Sequence, residues 1–92
     1  MRTLIFVVAM ILAGAAFGQA RCSDSHRFGQ MLVRVGDSER RVLSYREPDR
    51  QVQLENRQGA AVGYRLDFYE YQQTVQVYIQ GGVVSRICRV RD

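Results

Sequence analysis

The sequence predicts a small α+β domain: an antiparallel meander of about four strands with one short helix packed on one face. Three observations carry this. Two segments, Tyr64–Tyr71 and Thr74–Gln80, alternate apolar and polar residues with the period of a strand. Gly81-Gly82 separates the second of them from another apolar run, which is a hairpin signal. Upstream, "GDSERRVLSYREP" carries the start and stop signals of a short helix.

The elements follow in chain order. Met1-Arg2-Thr3 is a short basic start, Leu4 to Ala16 is continuously apolar, and small residues stand at Gly18 and Ala20. This is the layout of a secretory signal peptide, with cleavage expected after Ala20 and a second fit after Gly18. The apolar run is shorter than the roughly 18–20 residues a membrane-spanning helix needs, so no stable span is expected after cleavage. Arg21 stands directly before Cys22, where a lipoprotein requires a small residue. The domains are therefore read as 1–20, signal peptide, and 21–92, one small domain.

A domain of that size lies near the lower limit for a single apolar core, and export places it where disulfides form. Cys22 and Cys88 are the only two cysteines, so one intramolecular pairing exists, and it is expected to form. Arg21 to Gly29 reads as polar and irregular. Gln30 to Val35 reads as a short strand ending at Gly36. Asp37 and Ser38 both offer a side-chain oxygen as helix cap, Glu39 suits the positive end of the helix, and Pro48 stops it. Val42, Leu43 and Tyr45 form its apolar stripe, too short to hold a helix without a surface beneath it.

That surface is the meander. Val52, Leu54, Leu66, Phe68, Val75, Val77 and Ile79 are expected on the face under the helix, with Gly59–Gly63 as a flexible connection. The hairpin register stays open. A strict two-residue turn puts Cys88 on the helix side. A bulged turn sends Cys88 to the open face with Val83 and Ile87 inward, and is preferred because the strict turn also buries Arg86. Cys22 would then cross the open face.

Candidate chemistry is sparse. His26 is the one histidine, and it reads as a surface residue on a loose segment; with Cys22 and Asp24 it lacks the spacing of a metal site. No catalytic nucleophile, metal site or cofactor is read from the sequence, and the chain is read as non-enzymatic. All 13 basic residues are arginines, against 9 acids, for a net charge of +4. They are interleaved with acids and form no block, which argues against nucleic acid. Arg65, Tyr69, Tyr71, Gln76 and Tyr78 are expected on the sheet side away from the helix, and Tyr and Arg favour protein interfaces. These five are the candidate binding face.

The segment "VGDSERRVLSYREPDR" resembles the helix-and-proline signature of the small-protein-A/BamE-like superfamily. More closely, Leu32-Val33, Gly36-Asp37-Ser38, Val42-Leu43, Glu47-Pro48, Glu55-Asn56-Arg57, Gly59-Ala60, Gly63, Thr74-Val75-Gln76-Val77, Gly81-Gly82 and Ile87 resemble a group of short exported proteobacterial proteins known as a domain of unknown function. The likeness covers about residues 29 to 90. Arg46 stands where that pattern has a glycine before Glu-Pro. The leading reading is a non-enzymatic periplasmic or secreted interaction module, and the resemblance implies an envelope or extracellular protein as its partner. The alternative is an inhibitor or effector of a secreted or envelope enzyme, since the superfamily architecture also resembles a β-lactamase-inhibitory protein. Lipidated members act in outer-membrane assembly; without a lipidation signal that role does not transfer.

Overall fold

A computed structural model of the chain describes residues 20–91, so all but the last residue of the expected signal peptide lies outside the described residues. The order is β1 (Ala20–Ser23), β2 (Ser25–Phe28), β3 (Met31–Arg34), α1 (Glu39–Leu43), β4 (Arg50–Glu55), β5 (Ala61–Glu70), β6 (Gln73–Gln80) and β7 (Val83–Arg91). Five strands form one antiparallel sheet in the order β1-β7-β6-β5-β4, and β2 and β3 form a separate hairpin. Among the described residues, the expected four-strand α+β domain is thus corrected to a mostly β fold of seven strands with one five-residue helix. The segment read as irregular supplies the two missing strands at its N-terminal end. β1 and β2 are short and polar, so no alternation announces them; β1 is held by a partner far along the chain and β2 by the neighbouring β3. β1 pairs with β7, from Ala20 opposite Val90 to Ser23 opposite Ile87.

One face of the large sheet carries Leu66, Phe68, Val75, Val77, Ile79, Val84 and Ile87, all fully buried. The helix contributes only Val42 to covering them. The β2–β3 hairpin does most of it, through Phe28 and Val33. Phe28 packs its ring 5.1 Å from Phe68 and 4.9 Å from Tyr45, centroid to centroid.

The helix unit is bolted to the sheet by backbone. Gly36 N–H donates to Val84 O, Val84 N–H to Asp37 O, and Glu39 N–H to Gly82 O. Ser38 is the cap, its Oγ accepting from Arg41 N–H at 3.2 Å. Asp37 instead accepts from Arg34 N–H at 2.9 Å and pairs with Arg41. Past the helix, Asp49 accepts from Tyr69 N–H at 2.7 Å and from Arg46, while Arg46 also donates to Tyr69 O. The amide bond from Tyr69, more than the nearby guanidinium, holds the Asp49 carboxyl below its usual range. The loop around Pro48 is latched at both ends, which fixes where β4 begins.

This latch sets a register that corrects the expected facing of β4. Gln51 lies opposite Leu66 and Gln53 opposite Tyr64, while Val52 faces Arg65 and Leu54 faces Gly63. Val52 and Leu54 therefore sit on the uncovered side of the sheet. Alternation identifies two faces but not which one turns inward. The expected flexible connection is also smaller than read. Asn56 Oδ1 accepts from the amides of Gln58 and Ala60, and β5 has begun by Ala61. Gly63 lies inside β5, where a Cβ would run into the carbonyl oxygen of Ile79.

The β6–β7 hairpin combines features of both expected registers. Gly81 and Gly82 have φ of 62° and 80° and make a two-residue turn, with Gln80 opposite Val83. A bulge follows, so Ile79 faces Val84 but Tyr78 faces Arg86. Val84 and Ile87 point inward; Val83 remains 42 % exposed. Cys88, opposite Gln76, lies on the uncovered face.

Val42 and Leu43 should respond differently to charge. Val42 is fully buried and Leu43 is 41 % exposed. Val42→Asp is expected to destabilise by about 3 kcal/mol, because it buries an unpaired carboxylate. Leu43→Asp should cost less than about 1 kcal/mol. Paired urea unfolding curves would show whether the two separate in this way.

Candidate functional site

The uncovered face can be read row by row from the strand registers. One row runs Val52, Arg65, Tyr78, Arg86; the next runs Arg50, Asp67, Gln76, Cys88, Cys22; a third has Tyr69, Thr74, Val90 and Ala20. Four of the five expected face residues, Arg65, Tyr69, Gln76 and Tyr78, therefore share this side. Tyr71 does not. β5 ends at Glu70, and Tyr71 stands in the turn to β6, 87 % exposed.

The row residues are organised by charge. Asp67 is only 3 % exposed, an unusual position for a carboxylate on an uncovered sheet face. Its partner is Arg65, two residues earlier on the same strand and so on the same side. Arg65 Nε donates to Asp67 Oδ1 at 2.7 Å and Nη2 to Oδ2 at 3.0 Å, a bidentate pair. The guanidinium is held in place as a result. Arg86 lies with its guanidinium carbon 4.5 Å from the centroid of the Tyr78 ring. Asp67 had not been singled out in the sequence. The Arg-x-Asp spacing within an alternating strand is the signal that finds such a pair, because residues two apart point the same way.

Cys22 and Cys88 are bonded as a directly opposed cross-strand pair. Cys22 reaches Cys88 from the neighbouring edge strand, so it extends the sheet; the expectation that it crosses the open face is corrected. Both sulfurs belong to the uncovered side, and no described cysteine is free.

His26 is not the surface residue expected. Its side chain is 10 % exposed. In β2 it lies opposite Val33 and on the same side as Phe28, against which its ring packs edge-on at 4.7 Å. Its Nε2 stands 3.3 Å from Glu70 Oε1 but makes no well-aligned hydrogen bond. Burial lowers the His26 pKa, and Arg89 adds to this; Glu70 works in the opposite direction. The unfolded chain therefore takes up a proton before the folded one does. Stability should fall as pH drops below about 6.5, until the folded histidine also protonates. His26→Gln should flatten this slope. Urea midpoints at neutral and mildly acid pH for both chains would measure it; equal slopes would place the acid sensitivity elsewhere.

Among the described residues no cluster of three or more His, Cys, Asp or Glu is arranged to hold a metal ion. No described helix is long and apolar enough to cross a membrane. No family model matches the chain, and neither the curated proteins nor the solved structures contain a match to it.

Proposed function

We propose that the chain is a non-enzymatic interaction module of the periplasm or cell exterior, contacting an envelope or extracellular protein through the uncovered face. Export rests on the signal-peptide pattern of residues 1–20, and the envelope partner on the resemblance of residues 29 to 90. The observation that carries the contact surface is the asymmetry of the sheet. The hairpin and α1 cover one face, while the other presents Arg50, Tyr69, Tyr78 and Arg86 around the part-buried Arg65–Asp67 ion pair. Arg65, held by Asp67, and the tyrosines lose little side-chain freedom on binding. The reading of an inhibitor or effector of a secreted or envelope enzyme draws on the Asn56–Ala60 loop, which its own hydrogen bonds pre-shape.

A photo-crosslinking residue at Tyr69 or Tyr78 should trap an exported protein, identified by mass spectrometry. The same probe at Arg27, exposed on β2, should not. The double variant Tyr69→Ala/Tyr78→Ala should keep the fold and no longer co-purify with that partner. Equal trapping from all positions would remove the named face. Trapping of a hydrolase through the Asn56–Ala60 loop alone would favour the inhibitor.

A further inference from the structure

We propose that Arg21, Arg89 and Arg91 form a binding site for a phosphate monoester, at the β1–β7 end of the sheet and on the side away from the proposed contact surface. Strand pairing gathers these arginines from the two ends of the described chain. Arg21 lies directly opposite Arg89, and Arg89 directly opposite the buried Val75, so both arginines stand on the covered side. Arg91, opposite Gln73, shares that side about 7 Å further along β7.

Three observations converge. The first is uncompensated charge. Directly opposed residues on antiparallel strands have Cα atoms about 5 Å apart, and like charges placed so repel each other. Among the described residues none of the three arginines has a carboxylate within ion-pair distance. The strand pairs place one acid in these rows, Glu70, two strands from Arg91. Glu70 is engaged elsewhere, by Gln73 Nε2 at 3.1 Å and His26 Nε2 at 3.3 Å.

The second observation is how Arg89 is aimed. Its Nη1 donates a long hydrogen bond to Ser23 Oγ at 3.5 Å, and that hydroxyl in turn donates to Ser25 O at 2.8 Å. Ser23 stands two residues from Arg21 on the same side of β1, opposite Ile87. The Arg89 guanidinium is thus turned toward the strand that carries Arg21. Arg89 is half-buried while Arg21 and Arg91 are exposed, which gives the group a base and an open mouth.

The third is His26. Its side chain is 10 % exposed, its buried Nε2 has no aligned hydrogen bond, and the charge of Arg89 reaches the ring and disfavours its protonation. An anion beside Arg89 would offset that charge. The donors also set the class of anion. Three guanidinium groups offer more N–H bonds than the two oxygens of a carboxylate can use. The three terminal oxygens of a phosphate monoester, with a charge near −2 at neutral pH, match them.

The test uses the exported, disulfide-bonded chain at neutral pH and fixed ionic strength. Inorganic phosphate should bind and shift the Nε–H resonances of Arg21, Arg89 and Arg91, while those of the exposed Arg27 and Arg57 stay in place. Arg21→Gln should melt no lower than the parent, because it removes a repulsion, yet weaken binding by roughly tenfold through the loss of one charge-assisted contact. Arg57→Gln should bind like the parent. Sulfate, a stand-in that keeps its charge over the histidine range, should raise the pH at which the His26 ring protonates. Vesicles of phosphatidylcholine with phosphatidic acid separate the sources of the monoester. Capture by the vesicles through the same arginines makes it a lipid headgroup; response to inorganic phosphate alone makes it a soluble ligand. Either result sustains the site. No binding in either arm, equal capture by phosphatidylglycerol, a diester, affinity unchanged in Arg21→Gln, or a His26 titration that sulfate does not move overturns it.

Discussion

Phe28→Ala is expected to destabilise the domain by about 4 kcal/mol. Phe28 is fully buried at the point where three parts of the chain meet: the β2–β3 hairpin, the segment after α1 through Tyr45, and the sheet through Phe68. Truncating it removes apolar area and leaves a cavity that no nearby loop can fill. A domain of this size holds only about 4–10 kcal/mol in total, so the variant should be partly unfolded at room temperature. Urea unfolding with an unchanged slope would measure the loss. A cost below about 1.5 kcal/mol would mean that the hairpin is not what covers the sheet.

Loss of the Cys22–Cys88 bond should have a comparable effect. The bonded residues are 66 apart in sequence, and closing a loop of that length restricts the unfolded chain by about 4 kcal/mol in the chain-entropy account. The effect has a local component too. β1 places no residue in the apolar core, and its burial is slight along its whole length. The ladder to β7, the disulfide and a hydrogen bond from Arg89 Nη1 to Ser23 Oγ at 3.5 Å hold it. Cys22→Ala/Cys88→Ala should therefore lower stability by about 4 kcal/mol and leave the amides of β1 nearly unprotected in hydrogen exchange. Alkylation of the native chain should find no free thiol. A double variant within about 1 kcal/mol of the parent would show that the ladder alone is sufficient.

The parts legible in the sequence are those whose signals are local. β5, β6 and β7 alternate clearly, Gly81-Gly82 turns the chain as expected, and Ser38 was one of two candidate caps. The two-cysteine count gave the disulfide. Most of what escaped depends on partners distant in sequence or on pairing that polar residues do not announce. "ARCS" and "SHRF" hold one large apolar residue between them, Phe28, and become strands because β7 and β3 pair with them. The facing of β4 follows from a latch between Asp49 and the backbone of Tyr69, twenty residues on. The same distance hid His26: a polar segment with one histidine reads as surface until Val33 and Glu70 are known to enclose it. In the candidate face, the sharing of a side by Arg65, Tyr69, Gln76 and Tyr78 followed from alternation. Tyr71 is misplaced because β5 ends at Glu70 and the turn begins at Tyr71. The burial of Asp67 required knowing that Arg65 folds back onto it.

The pairing of β1 with β7 has a consequence in time. Among the described strands β1 leaves the ribosome first and its partner last. Until β7 emerges, β1 has no neighbour, and the Gly36–Glu39 segment lacks Gly82 and Val84, to which it is sewn. Hairpins β2–β3 and β5–β6 can form as they appear, but the sheet cannot close on a partial chain. A nascent chain stalled before Val83 should therefore stay open to protease and leave Cys22, still without Cys88, open to alkylation. The finished domain should become resistant in a single late step, when the last strand slides between β6 and β1.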